Sequence, residues 1–229
     1  MNNIKIRKHP KIYNVFISGP LSNPRLYTRN LVPGRKIYDE KLIKSEGIEY
    51  RSWDPERSKL AAIFMNDPST NFLKKGIKCL YLGAASGTTV THLSDILPNG
   101  IIYAVEFAER SMRQLIQNTS ERKNIIPILA DARHPVDFAN IIFTDIDLIY
   151  QDVAQPTQAE ISVKNGDYYL KEKGKLILVI KSQSIDSVSK SEQVYKDERK
   201  VLEESGYLIQ ESINIHNFAK NHIVLIAEK

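Results

Sequence analysis

The 229-residue sequence predicts an α/β protein: a mostly parallel seven-stranded sheet that finishes in an antiparallel hairpin, preceded by a small β-rich N-terminal domain. Three observations predict this. From residue 77 onward, apolar strand patterns alternate with helical ones, as in parallel sheets with helical crossovers. The last two apolar segments have no helical stretch between them, so they form a hairpin. Before residue 55, short segments of mixed polarity are separated by glycine and proline turns.

The elements follow in order. Ile12–Ser18, Arg25–Val32 and Glu49–Trp53 read as strands, punctuated by Gly19-Pro20, Asn23-Pro24, Pro33-Gly34 and Gly47. Asp54-Pro55-Glu56 reads as a helix start, with Asp54 as cap and Pro55 at the first position; Leu60, Ile63 and Phe64 give that helix an apolar face. The boundary between the two domains is set here, at residues 1–54 and 55–229. Strands are expected at Ile77–Leu82, Ile101–Glu106, Ile125–Ala130, Asp147–Val153 and Lys175–Lys181. Helices are expected around 87–97, 108–120, 135–143, 156–171 and 188–205. Tyr207–Ile215 and His222–Ala227 form the closing hairpin. Unbroken apolar runs such as Leu176-Ile177-Leu178-Val179-Ile180 suit strands buried on both faces.

Composition excludes several classes. A single cysteine, Cys79, leaves no disulfide framework and no cysteine-based zinc site, and fits a reducing compartment. No apolar run is long enough for a membrane helix, and Lys5, Arg7 and Lys8 lead into no apolar signal region. A cytoplasmic protein is expected. The net charge of +5 is unevenly spread: residues 1–58 carry 12 basic and 6 acidic side chains, the remainder 20 and 21. A basic lobe on a neutral body suits an anionic partner such as nucleic acid, and equally a solvated basic surface.

The first strand of the alternating region runs into Gly83-Ala84-Ala85-Ser86-Gly87-Thr88-Thr89. Such a turn lies at the carboxyl edge of the sheet, where backbone N–H groups can approach a ligand. Glu106 ends the second strand, where a carboxylate can take both hydroxyls of a ribose. Asp131 ends the third, suited either to an adenine amino group or to capping the next helix. The G-x-G-x-x-G spacing of dinucleotide folds is missing, and so is their sixth parallel strand; both departures favour S-adenosylmethionine over a dinucleotide. Asp152 and Lys181 end the fourth and fifth strands and should face each other across the same edge.

These residues resemble the fibrillarin family of RNA ribose 2′-O-methyltransferases. The resemblance runs from about residue 30 to the C-terminus. It rests on Tyr81-Leu-Gly-Ala-Ala-Ser-Gly-Thr-Thr-Val90 with His92 and Asp95-Ile96, Tyr103-Ala-Val-Glu-Phe107, and Asn124-Ile-Ile-Pro-Ile128. Asp131-Ala-Arg-His-Pro135, Asp152-Val-Ala-Gln-Pro156 and Ser184-Ile-Asp186 complete it. It implies a Rossmann-like methyltransferase fold with S-adenosylmethionine as cofactor and no metal. Gly83 and Ala85 would bind the cofactor, and Thr88 and Thr89 would hold its methionine end. Glu106 and Phe107 would take the ribose and one side of the adenine, Asp131 and Ala132 the adenine edge. Asp152, Val153, Ala154 and Gln155 would line the reactive end.

The family's catalytic Lys-Asp-Lys-His set falls on Lys59, Asp152, Lys181 and His222. A ribose hydroxyl is a weak acid and a poor nucleophile, so the set would position it and take its proton. The resemblance also implies a guide-directed enzyme. A box C/D RNA would select the target rRNA or tRNA, a Nop-domain scaffold protein would dock the methyltransferase, and a kink-turn-binding ribosomal-type protein would complete the particle. The chain lacks the Gly/Arg-rich tail of eukaryotic members and looks like the short archaeal type. Gln151 stands where the family usually has Ala or Glu.

Overall fold

The computed structural model describes residues 4–229. An antiparallel five-stranded sheet comes first: β1 (Arg7–Lys8), β2 (Phe16–Ser18), β3 (Arg25–Arg29), β4 (Leu42–Ser45) and β5 (Ile48–Trp53), in the order β1-β2-β3-β5-β4. Two of these strands escape sequence reading. β1 is a two-residue edge with both side chains exposed, and β4 lies in the charged segment 41–45, so neither carries an apolar signature. β2 is shorter than its apolar run suggests, because Asn14 takes a positive φ of 53° and turns the chain just before it.

Helix α1 (Lys59–Met65) keeps the expected apolar face, but its cap differs from the sequence expectation. Asp54 accepts from the backbone N–H of Glu56 at 2.9 Å, a local turn of the kind short acidic side chains favour. The cap is Ser58, whose Oγ accepts from Ala61 N at 3.4 Å.

The larger sheet contains β6 (Lys78–Leu82), β7 (Ile101–Glu106), β8 (Ile125–Leu129), β9 (Ile146–Gln151), β10 (Leu170–Lys181), β11 (Leu208–Asn214) and β12 (His222–Glu228). Their order is β11-β12-β10-β9-β6-β7-β8, with the five strands β6, β7, β8, β9 and β10 mutually parallel and β12 antiparallel to both β10 and β11. This is the predicted seven-stranded architecture. The crossovers contain α2 (Thr88–Ile96), α3 (Glu109–Thr119), α4 (Gln158–Tyr169) and α6 (Ser191–Glu204), with a short α5 (Ser182–Ile185) after β10. The helix expected over 135–143 is a single 3-10 turn, Pro135–Phe138. Phe138 and Ile142 are both buried and imitate helical spacing, while β-branched Val136, Ile141 and Ile142 favour a less regular path.

Alternating residues of the central strands feed two apolar layers. Cys79, Tyr81, Tyr150, Ile177 and Val179 face one side, where they share a continuous core with Leu60 and Ile63 of α1 and with Val15, Ile17, Leu26 and Trp53 of the small sheet. Leu80, Leu82, Ile149, Leu178 and Ile180 face the other side, against Ile161 of α4 and Leu202 of α6. The small sheet is therefore packed into the same core as the large one. No helix among the described residues is long and apolar enough to cross a membrane.

A buried ionic cluster joins the two sheets. Arg51 of β5 is fully buried and pairs with Glu40 at 2.8 Å and with Asp95 of α2 at 2.9 Å. Arg122 reaches the other oxygen of Asp95 at 2.6 Å. Thr28 of β3 donates to Asp95 at 2.9 Å, so its oxygen accepts from His92 Nδ1 at 2.8 Å. The remaining ring nitrogen, Nε2, faces the Tyr38 hydroxyl at 2.7 Å. This pattern holds a neutral imidazole. Burial, with Arg51 and Arg122 adding to it, pushes the His92 pKa well below its usual value.

Two outcomes follow. Arg51→Met leaves Glu40 and Asp95 short of a buried cation and should cost about 3–5 kcal/mol in urea unfolding; a change under about 1 kcal/mol would show the cluster to be dispensable. Because the folded state disfavours protonated His92, stability is complete above the ordinary histidine value and declines as pH falls below it. The melting temperature should therefore drop below about pH 6.5, and less steeply in His92→Asn.

Candidate active site

The strand order reverses direction at β6: β7 and β8 lie to one side of it, β9 and β10 to the other. Open α/β sheets leave a crevice beyond the carboxyl ends of the strands at such a point, and a cleft of about 200 Å³ lies there.

The glycine turn forms its floor. Gly83 has φ of +83°, and an added Cβ would lie 2.7 Å from the carbonyl oxygen of Asp152. The turn after β6 and the turn after β9 thus touch backbone to backbone, and only glycine permits it. Gly83 N and Ala84 N both donate to Val105 O at 3.0 Å. Gly87 caps α2 in the left-handed region, at φ of 93°.

Glu106 has a structural duty as well as a ligand-facing one. Its Oε2 accepts from Ala85 N at 2.8 Å and its Oε1 from Ala108 N at 2.9 Å. Ala85 itself sits at a positive φ of 48°, so this carboxylate pins an unfavourable backbone conformation. Each oxygen keeps a second lone pair for a ligand hydroxyl.

Of the residues expected to bind a cofactor, Gly83, Ala85, Glu106, Phe107 and Ala132 line the cleft, as do Asp152, Val153, Ala154 and Gln155. Val105 and Ala130 line it too and were not anticipated; their signal is only that they flank Glu106 and Asp131 on strand ends. Three expected residues lie outside the lining. Thr88 begins α2 behind the turn, and the buried Thr89 donates to Ser58 Oγ at 3.1 Å. Asp131 is gripped side-on by the Arg133 guanidinium, with Nη2–Oδ2 at 2.6 Å, and that hydrogen bond holds its carboxyl below the usual range.

The four candidate catalytic residues converge from four separate elements. Asp152, one residue past β9, is nearly buried and receives two ammonium groups: Lys59 Nζ lies 3.0 Å from Oδ2, and Lys181 Nζ lies 2.8 Å from Oδ1. Lys181 Nζ also donates to the Asp152 carbonyl at 2.9 Å. Lys59 is the first residue of α1, and Ser58, which caps that helix, is hydrogen-bonded to Thr89 of α2. His222 opens β12 directly opposite Lys181 in the antiparallel register. Its Nδ1 meets the Lys220 carbonyl at 2.6 Å and must be the donor there, which leaves Nε2 as the basic nitrogen. Burial is the main cause holding the His222 pKa below its ordinary value.

The lining suits a nucleoside. Small residues at Gly83, Ala85, Ala130 and Ala132 leave room for a flat ring, Val105, Phe107 and Val153 give apolar contact, and Glu106 offers acceptors to a diol. S-adenosylmethionine, whose nucleoside carries a ribose diol and a flat base, fits these acceptors and walls. Among the described residues there is no cluster of side chains able to hold a metal ion.

Gly83→Ala should abolish cofactor binding, because the new methyl group cannot share the space with the Asp152 carbonyl; calorimetry with S-adenosylmethionine reads this directly. Glu106→Gln should weaken binding by roughly 1.5–3 kcal/mol, the scale of a hydrogen bond to a charged group, because one amide N–H then faces another donor.

The chain can be set beside known proteins. A family model described as Fibrillarin matches residues 6–229. A fibrillarin-like rRNA/tRNA 2′-O-methyltransferase of Methanococcus maripaludis is 44% identical over 227 residues, covering 99% of this chain and 97% of that protein. A crystal structure of Aeropyrum pernix fibrillarin with natively bound S-adenosyl-L-methionine superposes with a TM-score of 0.90 at 39% identity, covering 98% of each chain. The structure of a fibrillarin/Nop5p complex matches with a TM-score of 0.84 at 39% identity, over 94% of this chain and 97% of that one. With residues 6–229 matched by the family model and a relative 44% identical over 99% of the chain, this chain belongs to the fibrillarin family.

Proposed function

We propose that this protein is an S-adenosylmethionine-dependent RNA ribose 2′-O-methyltransferase, directed by a box C/D guide RNA to rRNA and tRNA. The observation that carries the reading is Asp152: a carboxylate clasped by two lysine ammonium groups beside a cleft shaped for a nucleoside. The name of the Methanococcus maripaludis relative supports the reaction and the two RNA classes. The Aeropyrum pernix complex supports the cofactor.

When bound, S-adenosylmethionine supplies a methyl group on a positively charged sulfur, already reactive toward an oxygen nucleophile. The residues of this chain then have three tasks. Of the residues lining the cleft, Glu106 would hold the ribose of the cofactor, Gly83 and Ala85 would bind it, and Phe107 and Ala132 would contact the adenine; Asp131, outside the lining and shared with Arg133, would reach the adenine edge. Thr88 and Thr89 lie outside the cleft lining and would bear on the methionine end only through the start of α2. Val153, Ala154 and Gln155, with Asp152, border the reactive end.

Asp152, Lys59 and Lys181 hold the attacking hydroxyl. Both Asp152 oxygens already face ammonium groups, so its part is to fix those two cations rather than to act as a strong base. The ammonium groups donate to the ribose oxygen and orient it. The Nε2 of His222, neutral near pH 7 because burial depresses its pKa, accepts the released proton through this group of residues. Positioning contributes most, and the proton path roughly 10²–10⁴ in rate.

Target choice belongs to partners. The fibrillarin/Nop5p complex supports a Nop-domain scaffold for this chain. In this proposal a guide RNA and a kink-turn-binding protein complete the particle. A cytoplasmic particle is in keeping with this reading. We assign catalysis to residues 55–229 and treat residues 1–54, with most of the excess positive charge, as a smaller unit beside it.

Methyl transfer from labelled S-adenosylmethionine to a guide-paired RNA tests the reading, followed by mapping of the product. The label should appear on one ribose 2′-oxygen; a methylated base or protein would overturn the assignment. Asp152→Ala should lower transfer by at least about 10²-fold, leaving the circular dichroism spectrum unchanged. The rate should fall as acidification protonates His222, at a pH below the ordinary histidine range because burial depresses its pKa. His222→Gln should be slower at neutral pH and lose that dependence.

A further inference from the structure

Strands β9 and β10 part company just before the active site. Their last paired residues are Gln151 and Leu178. Beyond that point β10 runs on through Val179, Ile180 and Lys181, paired only with β12. The divergence opens the edge where Asp152 and Lys181 face each other, and it removes the ladder partner from the Lys181 backbone N–H.

Two glutamines close the gap. Gln158, the first residue of α4, accepts from Lys181 N through its Oε1 at 2.9 Å. Gln151 Nε2 donates to the backbone carbonyl of Gln158 at 2.6 Å. Both side chains are completely buried. Each leaves its other polar atom, Gln151 Oε1 and Gln158 Nε2, without a protein partner. Buried unpartnered atoms are destabilising, a penalty that apolar side chains of the same size would not carry. Core stability alone therefore does not account for this pair, and neither side chain lines the cofactor cleft.

We propose that Gln158, seated by Gln151, is a positioning residue for the reaction: it holds the end of β10 so that Lys181 reaches Asp152. The inference rests on the reading of Asp152 and Lys181 as the reacting edge. The bridge replaces one missing ladder hydrogen bond with a side chain, so the strands can spread without freeing the lysine. The 2.8 Å Lys181–Asp152 contact and the 2.9 Å bond from Nζ to the Asp152 carbonyl depend on that anchor. A displacement of about 1 Å at such a position costs on the order of 10²-fold in rate.

The test uses the full chain reconstituted with guide RNA and scaffold partners. Gln158→Met keeps the size and removes the acceptor. It should lower kcat by roughly 10- to 100-fold while S-adenosylmethionine affinity stays within about 2-fold. Gln158→Glu keeps an acceptor oxygen and should recover most of the rate. Gln151→Met should show the same kind of loss, and the double variant no more than the larger single loss, because the two act in series. In parallel, hydrogen exchange at the Lys181 amide should quicken in Gln158→Met while Leu176 to Leu178 keep their protection.

A wild-type rate in Gln158→Met, no rescue by Gln158→Glu, or a loss of cofactor affinity in step with the rate would each overturn the inference. If the wild-type particle methylates no RNA, the functional reading fails by itself. The Lys181 amide still decides the bridge, because unchanged exchange in Gln158→Met would refute the anchor.

Discussion

The whole arrangement depends on one buried guanidinium. Arg51 projects from the small sheet into α2, where it meets Asp95 and the hydroxyl of Thr91, while Glu40, in the loop before β4, balances it. Four charges sum to zero there: Arg51, Arg122, Glu40 and Asp95. A desolvated cluster of this kind tolerates little displacement, since a lost partner strands a charge in a medium that cannot solvate it. It therefore fixes the small sheet against α2, and α2 begins at the glycine turn. Trp53 stacks on His92 at 5.1 Å and extends the cluster toward α1 through an edge contact with Phe64 at 5.7 Å.

That chain of contacts matters because Lys59 belongs to α1, outside the large sheet. A lysine on a seven-residue helix has no precise position of its own. It acquires one from Ser58, which caps α1 and is hydrogen-bonded to Thr89, and from the apolar face formed by Leu60, Ile63 and Phe64. The other members of the constellation are held by different means. Asp152 continues β9 by one bond, from its N–H to the Leu82 carbonyl at 2.9 Å. Lys181 is held by the glutamine bridge, and His222 by its antiparallel register with Lys181. Four kinds of anchor converge on one carboxylate.

Conserving space is as important as placing charge. The turns after β6 and β9 press together at Gly83, and Glu106 is committed by both its oxygens to the backbone of the flanking turns. The groups that would hold a cofactor are thus also those that hold the turns. Binding and local folding are coupled at this edge. The basic excess of residues 1–58 lies apart from that edge in sequence. A basic N-terminal quarter on an otherwise nearly neutral chain is in keeping with the proposal that partners deliver the RNA rather than charge alone gripping it.

The sequence by itself determined the sheet, its strand count and its terminal hairpin. Strands buried on both faces advertise themselves as apolar runs, and the absence of a helix before β12 leaves only a hairpin. It also marked Gly83, Glu106 and Asp152, because strand ends in such a fold meet at one edge. Short elements stabilised by neighbours were not legible: β1, β4 and the cap at Ser58 have no local pattern strong enough to announce them. The tertiary structure alone decided that Asp131 is shared with Arg133, that Arg51 is buried between two carboxylates, and that Gln158 reaches Lys181. Those facts join residues 2, 11 or 44 and 23 positions apart through side-chain geometry. Periodicity reports which face a residue presents; it carries no information about which partner waits there.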